Sequence, residues 1–202
     1  MKKTFIGEEE LLLDAYRLGV AVFESGFRPT FIVGLWRGGS PVGIAVQECL
    51  QYLGVETDHI SIRTSYRGMT SYSQMVENVA DIQVHGTQYL LEHLNADDGL
   101  LIVDDVYSSG LNIKALIDRL AQRTKRNMPR EIRVAMPWFR PSSNLTERIP
   151  DYYLYETDQW LVLPWELDGL TREDIYQEKP FLEPIFKDVL AMNSDPAVKR
   201  EP

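Results

Sequence analysis

Two adjacent carboxylates follow a short apolar run in the middle of the chain. Residues 100–103 read Leu-Leu-Ile-Val, and Asp104 and Asp105 come directly after them. A continuous apolar run bounded by polar residues predicts a buried strand, which places the two acids at its carboxyl end. Neighbouring strand residues point to opposite faces, so the pair is not expected to share one proton. Carboxylates at this edge suit contacts to sugar hydroxyls, or support of a magnesium ion held mainly by substrate oxygens.

A hydroxyl-rich turn comes next and leads into a helical pattern. Ser108, Ser109 and Gly110 precede the pattern, which begins with Leu111 and Asn112. Backbone N–H groups and the dipole at a helix N-terminus are suited to binding a phosphate. The same residue types also serve as ordinary turn and cap residues at a strand–turn–helix junction. From the acids and the turn alone, both interpretations stay open.

The elements that position these residues alternate along the chain between strand and helix patterns. This alternation predicts an α/β fold, with a mostly parallel sheet covered by helices on both faces. In the first helix, Leu12, Tyr16, Val20 and Phe23 are predicted to share one face, and Cys49 of the second helix is predicted to pack in the core. Strands are predicted at residues 30–35, 55–63, 100–103, 131–136 and 152–155, and helices at 8–25, 41–54, 87–94 and after Gly110.

Composition limits the class of protein. The chain has 202 residues, a net charge of −9 and one cysteine. The charge argues against a general nucleic-acid-binding protein. One cysteine excludes an internal disulfide and a cysteine-based zinc cluster, and fits a cytoplasmic location. No run approaches the ~18 apolar residues of a membrane span, so no membrane association is expected.

The segment from Leu100 to Asn112 resembles the phosphoribosyl-pyrophosphate-binding motif of the type I phosphoribosyltransferases. In that family the two acids bind the ribose hydroxyls, directly or through magnesium, and the following loop holds the 5′-phosphate. The resemblance therefore assigns Asp104 and Asp105 to ribose and magnesium, and assigns the loop to Ser108, Ser109, Gly110, Leu111 and Asn112.

Two further segments resemble parts of the family that handle the pyrophosphate. The sequence GLWRGG, residues 34–39, is similar to the pyrophosphate loop. By this resemblance Arg37 meets pyrophosphate, Gly38 and Gly39 allow close backbone approach, and the Trp36–Arg37 peptide is cis. The sequence TSYRG begins a long polar segment, residues 64–78, and resembles the family's lid, in which Ser65 and Tyr66 close over the reacting centre.

The base-binding segments resemble those of bacterial hypoxanthine and xanthine-guanine enzymes. In WFRPSSN, residues 138–144, Arg140 stands where the family contacts the exocyclic oxygen of a 6-oxopurine. In TDQWLVLPWEL, residues 157–167, the resemblance makes Trp160 the base-stacking residue, and a buried core tryptophan is the alternative. It also assigns backbone contacts with the base edge to Leu161 and Val162, and adds Glu166 to Asp104 and Asp105 as magnesium ligands.

The resemblance implies a type I phosphoribosyltransferase fold over the single domain 1–202. The expected core spans about 28–156, with a small hood from about 1–27 and 157–190 and a polar tail at about 191–202. It also implies a cytoplasmic purine-salvage enzyme that uses magnesium and acts on two substrates, a 6-oxopurine base and phosphoribosyl pyrophosphate. The products are the nucleoside 5′-monophosphate and pyrophosphate, and the family usually forms homodimers.

Ser108 departs from the purine pattern, which has an aspartate at this position that is thought to interact with the purine N7 proton. Orotate enzymes place a threonine there, so a hydroxyl is compatible with phosphoribosyl transfer. Leu111 and Asn112 also differ from the family's more typical small or basic residue followed by threonine. Two alternatives therefore remain: transfer to another base such as orotate, or a non-catalytic regulator that binds phosphoribosyl pyrophosphate.

Overall fold

The computed structural model describes residues 3–66 and 82–186. The strands within these ranges are β1 (Lys3–Phe5), β2 (Phe31–Trp36), β3 (Asp58–Tyr66), β4 (Ile82–His85), β5 (Gly99–Val103), β6 (Val106–Tyr107), β7 (Glu131–Phe139), β8 (Tyr152–Glu156) and β9 (Trp160–Val162). The helices are α1 (Glu8–Glu24), α2 (Gly39–Tyr52), α3 (Gln88–His93), α4 (Leu111–Thr124) and α5 (Arg172–Glu178). Every strand and helix predicted from the sequence within these ranges is present.

A seven-stranded sheet forms the centre of the molecule. Its order is β4-β3-β2-β5-β7-β6, with β8 also paired to β7. The pair β3–β4 is antiparallel and the other pairs are parallel. Because parallel strands end at the same edge, the residues that follow β2, β5 and β7 collect there.

Alternate residues of the central strand β5 enter two separate hydrophobic cores. Leu101 and Val103 belong to the core under α1 and α2, whereas Leu100 and Ile102 belong to the core under α3 and α4. All four side chains are completely buried. The prediction of a mostly parallel sheet covered on both faces is therefore confirmed.

The buried face of α1 is not the one predicted. Leu12, Tyr16 and Val20 are 49%, 40% and 40% exposed, and Phe23 only packs at the margin of the core. The core-facing residues are instead Leu11, Ala15, Leu18 and Val22. The helix carries two overlapping apolar stripes, and contact with α2, β7 and β8 determines which one is buried.

The second helix packs closely against the first one. A Cβ added to Gly19 would lie 2.8 Å from the Cβ of Cys49, so the two helices approach at these residues. Cys49 is buried, as predicted for a core residue, and its Sγ lies 3.5 Å from the carbonyl oxygen of Tyr16. No helix in the described parts of the chain is long and apolar enough to cross a membrane.

A small two-stranded sheet lies apart from the main one. It pairs β1 with β9 in parallel, and Lys3 of β1 forms a 2.9 Å ion pair with Asp174 of α5. We call β1, β9 and residues 163–182 the hood. Of the predicted N-terminal hood segment, the strand joins this sheet, while α1 packs on the main sheet.

Part of the predicted lid lies within a strand. Residues 64–66 continue β3, which pairs with β4 through Tyr66↔Ile82. The rest of the predicted loop, including Arg67 and Gly68, lies outside the described residues, as does the C-terminal segment from 187 onward.

Candidate active site

A cleft of about 310 Å³ opens beyond the carboxyl ends of β2 and β5. It lies between the main sheet and the hood, where the predicted site segments meet. The predicted site residues that line it are Trp36, Arg37, Gly38, Asp104, Asp105, Ser108, Ser109, Gly110, Asn112, Arg140, Trp160, Leu161 and Glu166.

Asp104 and Asp105 form the floor of the cleft. The backbone N–H of Asp105 donates to Asp104 Oδ1 at 2.9 Å, and that of Val106 donates to Asp105 Oδ1 at 2.7 Å. Burial, followed by the charge of Asp105, raises the pKa of Asp104 well above its usual value. Burial also raises the pKa of Asp105 to about 6. The site therefore opposes full ionisation of the pair and favours a cation nearby.

The two carboxyl groups do not point to opposite faces, contrary to the sequence prediction. Strand β5 ends at Val103, and the chain turns through the acid pair before β6 begins at Val106. The carboxyl groups interact, since the charge of Asp105 and a side-chain hydrogen bond with it both act on Asp104. The strand rule fails because the residues lie just past the strand.

The glycines of the 34–39 loop allow it to pack against this pair. A Cβ on Gly38 would lie 1.5 Å from Asp105 Oδ2, and one on Gly39 would lie 2.4 Å from the carbonyl oxygen of Val103. The backbone of Gly39 also hydrogen-bonds to Asp104, which partly offsets the rise in its pKa. The close approach that requires glycine here is to the acid pair. The Trp36–Arg37 peptide is cis, as the family resemblance implied.

The turn after β6 leads into the start of α4 at the edge of the cleft. Gly110 stands before the helix with φ of 74°, and a Cβ there would lie 2.5 Å from Tyr107 Oη. Gly110 has no side chain to cap this helix, the first turn carries no acid, and Ser109 Oγ accepts weakly from Leu111 N–H at 3.4 Å. The carbonyl of Ser109 accepts from Leu145 N–H at 3.1 Å, which holds the turn from outside. The geometry fits the predicted phosphate loop.

The side of the cleft that the sequence predicts to bind the base carries an exposed indole and a guanidinium. Trp160 is 39% exposed and lines the cleft, so the core-tryptophan alternative does not apply to it. Arg140 donates weakly from Nη2 to the carbonyl of Asp158 at 3.4 Å. Its buried Nε has no hydrogen-bond partner among the described residues. By contrast, Trp138 is a core residue that stacks on Tyr155.

Five of the predicted site residues do not line the cleft. Gly39, Leu111 and Val162 are buried, and the carbonyl of Val162 already accepts from Ile6 N–H at 3.0 Å. Ser65 instead hydrogen-bonds to His85 Nε2 at 2.8 Å, and nothing is described of the Tyr66 side chain. The residues outside the cleft are thus Gly39, Ser65, Tyr66, Leu111 and Val162.

Several cleft residues were not predicted as site residues: Val106, Tyr107, Ile113, Leu163 and Trp165. Tyr107 shows why. Its hydroxyl lies 3.0 Å from Thr146 Oγ1 and donates to the carbonyl of Arg148 at 2.9 Å, which fixes the ring beneath Gly110. These partners are distant in sequence, so no local signal marks the residue.

The acidic floor fits a divalent cation that takes other ligands from a substrate. Glu166 adds a third carboxylate, whose charge also raises the pKa of Asp105. Its Oε2 accepts from Leu163 N–H at 3.1 Å. Among the described residues, no three histidine, cysteine or acidic side chains form a cluster that could hold a metal. Asp104, Asp105 and Glu166 therefore do not form a complete protein metal site, whereas two carboxylates plus substrate oxygens suit magnesium.

Similar solved structures share the fold of this chain. A purine phosphoribosyltransferase from Pyrococcus horikoshii matches with a TM-score of 0.61 and 22% identity, over 85% of this chain and 99% of that one. A Neisseria gonorrhoeae protein with bound ppGpp matches with a TM-score of 0.63 and 16% identity, over 89% of this chain and 97% of that one. A Helicobacter pylori xanthine-guanine-hypoxanthine phosphoribosyltransferase matches with a TM-score of 0.59 and 16% identity, over 83% of this chain and 95% of that one.

Sequence comparison gives the family directly. No curated protein matches the chain significantly. The model of the phosphoribosyl transferase domain, however, matches residues 9–168, which include the acid pair, the glycine loop, Arg140 and Trp160. Together with the parallel sheet and the cleft at its carboxyl edge, this match shows that the chain belongs to the phosphoribosyl transferase domain family.

Proposed function

We propose that this protein transfers the phosphoribosyl group of phosphoribosyl pyrophosphate to a 6-oxopurine, giving the nucleoside 5′-monophosphate and pyrophosphate. One observation carries the proposal: a single cleft contains the acid pair, the start of α4 with no acid in its first turn, Arg37, an exposed indole and Arg140. These are the groups needed for a ribose, a phosphate, a pyrophosphate and a flat base with an exocyclic oxygen.

The ribose binds at the acid pair. Asp104 and Asp105 present carboxylate oxygens to its hydroxyls, and burial together with their mutual repulsion explains why a cation assists. Magnesium held by these residues and by substrate oxygens would supply neutralisation of the leaving pyrophosphate. The glycines at 38 and 39 keep the neighbouring loop in contact with the pair.

The 5′-phosphate binds at the turn of residues 108–112. Backbone N–H groups at the start of α4 donate to phosphate oxygens, and the helix dipole favours the negative charge. Arg37 is exposed and lines the same cleft, where its guanidinium meets the pyrophosphate.

The base stacks on Trp160, with Arg140 at its exocyclic oxygen. An indole offers a broad face for a purine ring. Arg140 lines the same cleft, where its Nη2 makes a long 3.4 Å contact with the carbonyl of Asp158, and its guanidinium carries further donors that a ligand can use. A purine nitrogen then attacks C1 of the ribose as the bond to pyrophosphate breaks, and catalysis consists mainly of positioning and charge neutralisation.

Ser108 determines how the base loses its proton. A serine hydroxyl is not a base near neutral pH, so the side chain does not accept the purine N7 proton. The proton therefore passes to solvent, or the base reacts as its anion. This predicts a preference for xanthine, the more acidic base, or a rate that rises with pH for the others.

Pyrophosphate release with a panel of bases tests the proposal. Release should require magnesium, phosphoribosyl pyrophosphate and one of the bases hypoxanthine, guanine and xanthine. The molecular mass of the protein in solution should be that of a homodimer. If orotate were the one base of the panel that supported release, orotate would replace the 6-oxopurine as the proposed substrate, and the proposed phosphoribosyl transfer would stand.

A regulator is the second candidate, and Ser108 is the observation that favours it. One of the similar structures, from Neisseria gonorrhoeae, contains bound ppGpp. If this chain bound phosphoribosyl pyrophosphate or ppGpp in calorimetry but released no pyrophosphate with any base, the regulator would be correct. The exposed Trp160 in the same cleft as the acid pair argues only against a sensor of sugar phosphate alone, since such a sensor has no need of a stacking surface.

A further inference from the structure

A buried lysine lies behind the base side of the cleft. Lys179 follows α5 and is only 3% exposed. Its Nζ donates to the carbonyl oxygens of Leu163 and Pro164, each at 2.8 Å. Burying an ammonium group is costly unless its hydrogens are bound, so these two contacts must offset a substantial penalty.

The lysine is not held by a direct ion pair. Within the described ranges, no carboxylate forms an ion pair with its ammonium group. Burial lowers the pKa of Lys179, and the more distant charges of Glu166 and Glu8 offset this only in part. The two carbonyls are therefore its direct partners.

These carbonyls belong to a turn that lacks strand partners. Pairing of β9 with β1 ends where Ile6 N–H donates to the carbonyl of Val162. Beyond it, Pro164 has no N–H, and the turn is closed by Glu166 N–H donating to the carbonyl of Leu163 at 3.0 Å. Lys179 supplies the further donors that fix this turn.

The same turn forms part of the cleft wall. Leu163, Trp165 and Glu166 line the cleft, and Leu161 lies just before them. Lys179 itself lies outside the cleft and beyond residue 168, where the match to the family model ends. Its effect on a ligand must therefore be indirect.

We propose that Lys179 is a positioning residue for the base pocket, a role that it performs by fixing the backbone of residues 163–166. The inference rests on the proposed function for the identity of the ligand. It predicts that loss of the two hydrogen bonds weakens base binding more than phosphoribosyl pyrophosphate binding, because the acid pair and the phosphate turn lie outside the fixed turn and only Glu166 of the acidic floor belongs to it.

Lys179→Met tests this, since methionine keeps most of the stem and removes the donors. The Michaelis constant of the purine base should rise about 10- to 100-fold, because a displaced positioning group has effects of this order. The Michaelis constant of phosphoribosyl pyrophosphate should rise by a much smaller factor. Hydrogen exchange in residues 161–166 should become faster. Lys3→Met, which removes an ion pair in the same hood, is the control and should leave the base constant unchanged.

The outcomes separate the two proposals. The positioning role is overturned if Lys179→Met folds and the Michaelis constant of the purine base is unchanged, or if the Michaelis constants of both substrates rise equally. Neither result bears on the proposed function. If the wild type uses no purine base, the proposed function fails. Hydrogen exchange of Lys179→Met then tests whether Lys179 fixes the turn: faster exchange in residues 161–166 supports this, and unchanged exchange overturns it. If Lys179→Met does not fold, Lys179→Gln is the second variant, since its amide NH2 can donate but on a shorter side chain. It should also raise the Michaelis constant of the purine base, and a constant equal to that of the wild type would contradict the positioning role.

Discussion

Replacing Asp105 by asparagine should stabilise the ligand-free protein at neutral and alkaline pH while impairing substrate binding. Asparagine retains an acceptor for Val106 N–H, which now donates to Asp105 Oδ1 at 2.7 Å. It removes the charge that burial disfavours next to Asp104. The ligand-free site thus holds an electrostatic strain, and we propose that the substrate complex relieves it.

The size of the effect follows from the pKa of Asp105. Burial raises this pKa from 3.8 to about 6. A tenfold change in proton affinity is worth about 1.4 kcal/mol, so the full difference is about 3 kcal/mol, and about half of it remains once screening by water in the cleft is allowed for. Because the folded pKa is the higher one, the favourable contribution is complete below pH 3.8 and is lost as pH rises through about 6.

Thermal unfolding between pH 5 and pH 8 without magnesium measures this effect. Asp105→Asn should gain midpoint temperature relative to wild type as pH rises, by about 3–12 °C at pH 8 for a chain of this size. Asp118→Asn, on the exposed face of α4, is the control and should show no such trend. Equal pH dependence in Asp105→Asn and wild type would refute the electrostatic reasoning.

Three other substitutions test separate parts of the cleft. Trp160→Phe should retain more base affinity than Trp160→Ala, measured as the Michaelis constant of the base; equal losses in two folded variants would argue against stacking. Ser108→Asp should raise turnover of hypoxanthine or guanine near neutral pH, because it restores a side chain that can accept the purine N7 proton. If turnover does not rise at any pH while the affinity for phosphoribosyl pyrophosphate is unchanged, a missing proton acceptor is not what limits turnover. Gly38→Ala should weaken phosphoribosyl pyrophosphate by about 100-fold, since its Cβ would displace Asp105, and calorimetry should find Gly7→Ala normal because that position is open.

The sheet was predictable because its strands carry their own signals. Residues 100–103 form a continuous apolar run, and both faces of β5 are indeed buried. The face of α1 was not predictable, because Leu12 and Leu11 lie in overlapping stripes of similar hydrophobicity. Contact with α2 and β7 buries the stripe that contains Leu11, and the spacing of apolar residues in α1 alone does not predict that contact.

The site was predictable where it consists of short continuous motifs. The acid pair, the turn at Gly110 and Trp160 all line one cleft, as their motifs indicated. The mutual contact of Asp104 and Asp105 was missed because the strand ends at Val103, so the alternation rule does not hold for the two residues that follow it. Lys179 was missed for a different reason, since its partners are backbone carbonyls, which leave no pattern in the sequence.

Formation of a nucleoside 5′-monophosphate tests the central claim most directly. Wild-type protein with magnesium, phosphoribosyl pyrophosphate and a 6-oxopurine should give the monophosphate and pyrophosphate in equal amounts, identified by mass spectrometry. The folded double variant Asp104→Asn/Asp105→Asn should form neither product. Absence of the monophosphate with wild type and every 6-oxopurine, or undiminished formation by the double variant, would contradict the account.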